Sequence, residues 1–119
     1  MKTFCYESNG NRYRECYFDM SEYKNGERCL AIYGYADENN NISYISDATI
    51  EVSKNLKENQ VAIDNETNTN LISFLLDEGI VTGISKREEV NGVQYPVVDL
   101  DLKKLNEYSY KKEEFKIAS

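Results

Sequence analysis

The segment that decides the fold is residues 4–18, which read FCYESNGNRYRECYF. At its centre, Asn9-Gly10 is the preferred pair for a two-residue type I′ turn, because both central residues of that turn need a positive φ. The turn creates one aromatic pair and one ion pair across the strands: Tyr6 with Tyr13, and Glu7 with Arg12. Both kinds of pair stabilise antiparallel strands. The segment therefore predicts an N-terminal β-hairpin, with strands at residues 4–7 and 12–18.

Two further strands are predicted downstream of this hairpin. The first covers residues 28–36 and is expected to end at the polar turn of residues 37–41. The second covers residues 42–52, where apolar and polar residues alternate as they do in a half-buried strand. Its apolar side is predicted to hold Ile42, Tyr44, Ala48, Ile50 and Val52. We expect these two strands to form a hairpin with one solvated face.

A short apolar stretch at residues 60–64 precedes the one strong helix signal, which lies at about residues 68–78. The apolar residues of this helix recur at helical spacing and are Leu71, Ile72, Phe74, Leu75 and Leu76. Residues 65–70 offer several N-cap side chains, and Gly79 suits a left-handed C-terminal cap. A helix of about 10 residues does not persist alone. Phe74 and Leu75 are therefore predicted to be core residues.

A second Asn-Gly pair, Asn91-Gly92, predicts another hairpin between residues 80–90 and 93–100. The register of a two-residue turn pairs two residues from each strand: Lys86 with Val97, and Glu88 with Tyr95. Pro96 has no amide proton to donate, so we expect either that one of the two strands is an edge strand or that the loop is longer than two residues. Residues 102–119 fit either a short helix or a flexible tail.

Together these elements predict a single α+β domain over residues 1–119. The predicted architecture is an antiparallel sheet built from hairpins, with one short helix at about 68–78 packed on it. A chain of 119 residues has the usual length of one domain.

The composition argues against most enzyme mechanisms, because the chain contains no His. Histidine is the usual general base near neutral pH and a common metal ligand. The three cysteines, Cys5, Cys16 and Cys29, show no metal-binding or redox spacing, and we expect them to be reduced and at least half-buried. No catalytic or cofactor-binding residues are identified. The chain is thus predicted not to be an enzyme and to need no cofactor.

Two acidic segments superficially suggest a cation site. Asp99 and Asp101 lie on the same side of a strand, but a single pair of carboxylates is a weak signal for Mg²⁺ or Ca²⁺. The segment 37–41 lacks the glycine at position six and the glutamate at position twelve of a calcium-binding loop. No metal site is predicted.

Nothing in the sequence suggests export or membrane insertion. The longest apolar run is residues 30–33, whereas a membrane-spanning helix needs about 18 to 20 apolar residues. The N-terminus lacks the apolar region of a secretory signal. The expected location is the cytoplasm.

The charge distribution is the most informative feature for function. The net charge is -7, and residues 37–101 hold 13 acidic and four basic side chains. This excess disfavours direct binding of nucleic acid. It has two interpretations: it keeps the protein soluble, or it imitates phosphates in the basic channel of a nucleic-acid enzyme. In the second case the candidate partner-binding residues are Asp77, Glu78, Glu88, Glu89, Asp99, Asp101 and Tyr95.

Residues 65–81 carry a polar segment followed by a helix that ends in a Leu-x-x-x-Gly-Ile-Val pattern at Leu75 to Val81. A later glycine, Gly92, leads into a Tyr-Pro-Val-Val strand at residues 95–98. Upstream, residues 23–32 begin with a Tyr-x-Asn-Gly motif. Over about residues 15–101 this order resembles a family of small bacterial plasmid- and phage-borne proteins described only as a domain of unknown function. The resemblance implies a mobile genetic element and lends no activity.

Three hypotheses for function follow. The first is a non-enzymatic inhibitor of a host nucleic-acid enzyme, similar in size and acidity to anti-CRISPR and anti-restriction proteins. The second is a structural or regulatory adaptor that pairs through an exposed sheet edge. The third is an enzyme that uses carboxylates and tyrosines, for which no positioned pair is identified. The expected partner is a protein, and the sequence leaves the oligomeric state open.

Overall fold

The computed structural model describes residues 1–36, 40–52 and 56–110. Within these ranges, the strands form two four-stranded antiparallel sheets. The first sheet contains, in spatial order, β1 (Phe4–Ser8), β2 (Asn11–Glu22), β3 (Arg28–Ala36) and β4 (Ile42–Asp47). The strands of the second sheet are β5 (Thr49–Ile50), β6 (Gln60–Ile63), β7 (Val81–Val90) and β8 (Val93–Leu100). Their spatial order is β5-β6-β8-β7. Two short helices complete the described fold, α1 (Leu71–Asp77) and α2 (Leu102–Glu107).

The predicted N-terminal hairpin is confirmed. Asn9 and Gly10 have φ values of 52° and 80°, as a type I′ turn requires. The register is the predicted one: Tyr6 pairs with Tyr13, and Glu7 pairs with Arg12. Both charged side chains of the second pair are exposed and lie 3.9 Å apart, so this ion pair contributes little stability. The turn therefore sets the register of β1 against β2 as far as Tyr6, and a register shift beyond it pairs Phe4 with Cys16.

Strand β3 has the predicted bounds, and it packs unusually close to β2 at Gly34. A β-bulge in β2 places Glu15 at a φ of 51° between the paired stretches. A Cβ added at Gly34 would lie 2.5 Å from the Sγ of Cys16 and 3.2 Å from the carbonyl oxygen of Arg14. Only glycine fits at this crossing without a shift of the neighbouring strand.

The prediction of one alternating strand over residues 42–52 is wrong. Strand β4 ends at Asp47, and the chain crosses at Ala48 into the second sheet. Ile42 and Tyr44, predicted on the apolar side, are 48% and 54% exposed, whereas Ser46 is buried. The cause is a β-bulge in which one extra residue, Ile45, separates the positions paired with neighbouring residues of β3. An extra residue moves every later side chain to the other face.

In the polar turn predicted at 37–41, residues 37–39 lie outside the described part of the chain.

The second Asn-Gly hairpin is also confirmed. Asn91 and Gly92 have φ values of 51° and 83°. The register pairs Lys86 with Val97 and Glu88 with Tyr95, as predicted. The edge strand is β7, whereas β8 lies between β6 and β7. On β8, Pro96 precedes the residues that pair with β6, which are 97–99. A proline at this position therefore interrupts no β6–β8 pair.

Helix α1 is shorter than the predicted 68–78, but its C-terminal cap is the predicted one. Gly79 has a φ of 74°, and its amide donates a hydrogen bond to the carbonyl of Leu76 over 3.1 Å. The next amide, of Ile80, donates to the carbonyl of Leu75 over 2.9 Å. These two bonds form a Schellman motif. Asn70 takes the N-cap position without a capping side-chain hydrogen bond.

The region from residue 102 begins as a helix, and residues 111–119 lie outside the described chain. Helix α2 is capped by the side chain of Asp101, which accepts a hydrogen bond from the amide of Lys104 over 3.2 Å. After α2 the chain returns to the first sheet, where the amide of Tyr110 donates to the carbonyl of Phe18. The broad α+β class is therefore right, but the predicted single sheet with a single helix is too simple.

One apolar cluster takes buried residues from both sheets and both helices. Its largest fully buried side chains include Phe18, Ile32, Ile63, Leu71, Leu75, Ile80, Leu105 and Val98. The ring of Phe4 is central, with its centroid 5.1 Å from that of Phe18 and 4.6 Å from that of Phe74. Leu75 is 1% exposed and confirms its predicted place in the core. Phe74 is half-buried and packs against the cluster from its rim.

A buried amide joins the two sheets. Asn68 is 1% exposed and lies in the segment between β6 and α1. Its Oδ1 accepts hydrogen bonds from the hydroxyl of Tyr6 on β1 and from the Oγ of Ser46 on β4. Its Nδ2 donates to the carbonyl oxygens of Asp47, over 2.9 Å, and of Asp64, over 3.0 Å. The side chain thus makes all four hydrogen bonds that an amide offers.

Replacing Phe74 tests the packing of α1 on the sheets. We expect Phe74→Ala to lower the free energy of unfolding by about 2 to 4 kcal/mol, because the ring loses its contacts with Phe4 and leaves a partly open cavity. The matched control is Leu76→Ala on the same helix, where the side chain is 43% exposed. That change should stay within about 1 kcal/mol. Chemical denaturation of the two variants gives the comparison, and equal losses would contradict the packing described.

The hydroxyl of Tyr6 donates to Asn68, and its ionisation at high pH is expected to lower the stability of the protein. Burial is the main cause that raises the pKa of Tyr6 to about 12, and the nearby Asp64 adds to the shift. Because the folded pKa lies above the ordinary value of about 10, the stabilisation is complete below about pH 10 and is lost as the pH rises towards 12.

Tyr6→Phe should lower the free energy of unfolding at pH 8 by about 1 to 3 kcal/mol, since Asn68 loses a buried donor. The free energy of unfolding of the variant should also fall less steeply than that of the wild type between pH 10 and 12. Burial also raises the pKa of Cys16, to about 12, and the pKa of Tyr23, so both proteins keep a decline in stability from these two groups. Parallel pH profiles for the wild type and the variant would show that Tyr6 is not responsible.

Candidate functional site

The seven candidate partner-binding residues do not lie together in one patch, and their surroundings differ. They occupy three places: the end of α1, the β7–β8 hairpin, and the junction between β8 and α2. The contacts of a carboxylate decide whether it is available to a partner.

At the junction of β8 and α2, both carboxylates have structural partners. The Oδ1 of Asp99 accepts a hydrogen bond from the Nε2 of Gln60 over 2.9 Å. Asp101 caps α2, as described above. Among the described residues, no group of three or more His, Cys, Asp or Glu side chains is placed to hold a metal ion. This pair of carboxylates therefore acts within the fold.

At the end of α1, Asp77 is exposed, and Glu78 accepts a hydrogen bond from the hydroxyl of Tyr108. This bond is the main cause that raises the pKa of Tyr108. The Nζ of Lys2 lies 5.8 Å from the centre of the same ring and 2.9 Å from the Oε1 of Glu107. Glu78 thus belongs to a mixed cluster of charges, whereas Asp77 points to a surface without such partners in the described chain.

On the β7–β8 hairpin, the acidic side chains and the tyrosine differ in exposure. Glu88 lies 3.1 Å from the Nζ of Lys86, and the exposed Glu89 accepts a hydrogen bond from Gln94 over 3.2 Å. Tyr95 is 8% exposed and belongs to a second apolar cluster on the far side of the second sheet. Its ring is therefore not available as a surface anchor for a partner.

The cysteines also differ from one another in exposure. Cys16 is fully buried and Cys29 is half-buried, in keeping with their prediction as small apolar residues. Cys5 is exposed, which corrects that prediction, because it lies on the outer side of edge strand β1. Burial raises the pKa of Cys16, so its thiol is an unreactive packing group.

A continuous row of aromatic rings crosses the outer face of the first sheet. The rings of Tyr17 on β2 and Tyr33 on β3 are stacked, with centroids 6.0 Å apart. On one side of this pair, Tyr44 of β4 lies 5.8 Å from Tyr33 in an edge-to-face arrangement. On the other side, Tyr110 lies 6.1 Å from Tyr17. We call these four residues the tyrosine row.

Charged side chains flank the tyrosine row on both sides. On one side Asp19 and Asp47 both pair with Ala31, one from each neighbouring strand. Partial burial is the main cause that raises the pKa of Tyr17 and of Tyr44, and the nearby carboxylates add to both shifts. On the other side, the guanidinium of Arg14 lies 5.0 Å from the centre of the Tyr35 ring. The face therefore combines aromatic rings with carboxylates along one border.

Sequence reasoning did not identify this row. Ten tyrosines in the composition were a signal, but the sequence analysis placed Tyr44 on the apolar side of its strand. The row depends on the pairing of Tyr17 with Tyr33 and of Tyr33 with Tyr44 across three strands. Both pairings follow bulges, which shift the register by one residue and which local alternation does not reveal.

The described residues include no helix that is both long and apolar enough to cross a membrane. Comparison with known proteins adds no relative: no family model, no curated protein and no solved structure matches this chain.

Proposed function

We propose that this chain is a non-enzymatic, acidic protein-binding domain encoded by a mobile element and active in the cytoplasm of a bacterial host. In this proposal it inhibits a host nucleic-acid-processing defence enzyme, in the manner of an anti-CRISPR or anti-restriction protein, by imitating phosphates. One observation carries the proposal. Residues 58–101 hold nine acidic and two basic side chains, and within this described segment Glu88 is the only acidic residue in an ion pair.

Exposed carboxylates on a rigid scaffold suit this role for a physical reason. A nucleic-acid channel is lined with cations at the spacing of phosphates, and complementary charge speeds association with such a channel. Glu66, Asp77, Glu78 and Glu89 are exposed. Of the candidate set, Asp77 has no partner in the described chain and Glu89 has only an exposed hydrogen bond with Gln94, so these two are the best test positions. Asp99, Asp101 and Tyr95 contribute to the scaffold.

The second candidate is an adaptor that pairs through a sheet edge. The observation that favours it is the edge strand β7, which has ten residues. Two register shifts and the charged pair Lys86 and Arg87 interrupt that edge, and such features usually protect an edge from pairing. Pairing through main-chain hydrogen bonds would depend weakly on salt, which separates it from the first proposal. An enzyme is the least supported alternative, and a metal-dependent rise in melting temperature would favour it.

Charge reversal at the two freely exposed positions tests the proposal. We expect Asp77→Lys combined with Glu89→Lys to weaken binding to a captured nucleic-acid enzyme about 10-fold or more at low salt, mainly through slower association. The matched control is Glu7→Lys combined with Glu22→Lys, since both residues are exposed on the first sheet. Glu27 is unsuitable as a control because it is buried and accepts a hydrogen bond from the amide of Val52.

The measurement has two stages. The tagged wild type is used to capture proteins from a bacterial lysate, and each captured nucleic-acid enzyme is then purified for binding kinetics and for competition with its own nucleic acid. Support requires that the wild type competes with the nucleic acid and that the affinity falls steeply with salt. Failure to compete, or equal loss in both double reversals, would remove phosphate mimicry and leave solubility as the reason for the acidic composition.

A further inference from the structure

The tyrosine row is open to solvent at both ends and continuous in between. Tyr44 and Tyr110 are 54% and 52% exposed, and Tyr17 and Tyr33 are half-buried. The opposite face of the same strands is the core, since Phe18 and Ile32 are fully buried. A soluble domain gains no core stability from rings on its outer face. Contiguous exposed aromatic surface of this kind is typical of interaction sites.

The rings themselves favour a cationic occupant. The face of a tyrosine ring carries partial negative charge and attracts cations within about 6 Å. The same face of the sheet already contains one example, because the guanidinium of Arg14 lies 5.0 Å from the centre of the Tyr35 ring. The neighbouring rings of the row therefore offer a geometry that a guanidinium fits.

The charge around the row favours the same occupant. Two carboxylate residues lie beside the row, because Asp19 on β2 and Asp47 on β4 both pair with Ala31 of β3. In the described structure, Asp47 lies at the border of the row on β4. A cation above the rings would thus be attracted by both the aromatic faces and a nearby carboxylate. A phosphate would be repelled.

We propose that the tyrosine row is a docking surface for an arginine-bearing segment of a partner protein. Guanidinium groups of that segment stack on Tyr33 and Tyr44 and approach the carboxylate of Asp47. Arginine fits better than lysine because its planar group stacks on a ring while it keeps its hydrogen-bond donors for a carboxylate. This inference does not rest on the function proposed above, because it uses the first sheet and not the acidic residues 58–101.

The test uses the full chain, labelled with ¹⁵N, and a capped hexapeptide that alternates arginine and serine. A peptide of the same sequence with citrulline in place of arginine keeps the shape and removes the charge. We expect the arginine peptide to shift the amide resonances of β2, β3 and β4 around the row, and to bind at least about 5-fold more tightly than the citrulline peptide. Equal affinity for the two peptides would overturn the proposal.

Variants separate the row from a general attraction to an acidic protein. Tyr44→Ala and Tyr33→Leu should each weaken binding of the arginine peptide about 2- to 5-fold. Ile84→Ala, at a residue that is 47% exposed on β7, should leave the affinity unchanged. The double reversal of Asp77 and Glu89 should also leave the pattern of shifted resonances unchanged. Melting curves check that each variant folds, and the exposed position of Tyr44 makes that variant the safer one.

Three further results would overturn the proposal. The first is an equal loss of affinity in Ile84→Ala and Tyr44→Ala, which would indicate nonspecific binding. The second is loss of the resonance shifts in the Asp77 and Glu89 double reversal, which would transfer the binding to the second sheet. The third is tighter binding of a ten-nucleotide oligothymidylate than of the arginine peptide, because single strands also stack on aromatic rows and would then be the occupant.

Discussion

The fold depends on the hydrogen bonds of one buried side chain, the amide of Asn68. Two of its partners lie on β1 and β4 of the first sheet, and a third is the carbonyl of Asp64, which directly follows β6 of the second sheet. Only an amide of this length suits the site. A carboxylate would bring its negative oxygens against the carbonyls of Asp47 and Asp64, and an apolar side chain would remove all four hydrogen bonds. Through these bonds the segment that leads into α1 is held against β1 and β4 of the first sheet.

Features encoded by neighbouring residues were predictable from the sequence. Asn-Gly pairs predicted both hairpins and their registers because only residues that tolerate a positive φ fit the turn. Gly79 predicted the end of α1 for the same reason. In contrast, Asn68 lies in a run that the sequence presents as N-cap candidates, and its real partners are as far away in sequence as Tyr6. No local pattern encodes a hydrogen bond over such a separation.

The division into two sheets and the candidate surfaces were not predicted, for a related reason. The bulge at Ile45 shifts the register within β4, and the crossing at Ala48 divides one predicted strand into two strands of different sheets. Composition predicted an acidic excess in the second half, but not that Asp101 would cap a helix or that Asp99 would bind Gln60. Those roles depend on tertiary neighbours. Tyr95 is buried because it lies on the central strand β8 and packs in the second apolar cluster.

The two proposed surfaces use different physics and therefore complement each other. Carboxylates such as Asp77 act over about 8 to 10 Å in physiological salt, so they influence the encounter with a partner more than the lifetime of the complex. The tyrosine row acts only in contact. The centroids of neighbouring rings are already 5.8 to 6.1 Å apart in the free protein. A partner that stacks on these rings therefore costs them little additional conformational entropy. Tyrosine suits this position better than phenylalanine, because its ring supplies the contact area while its hydroxyl can form hydrogen bonds at a surface.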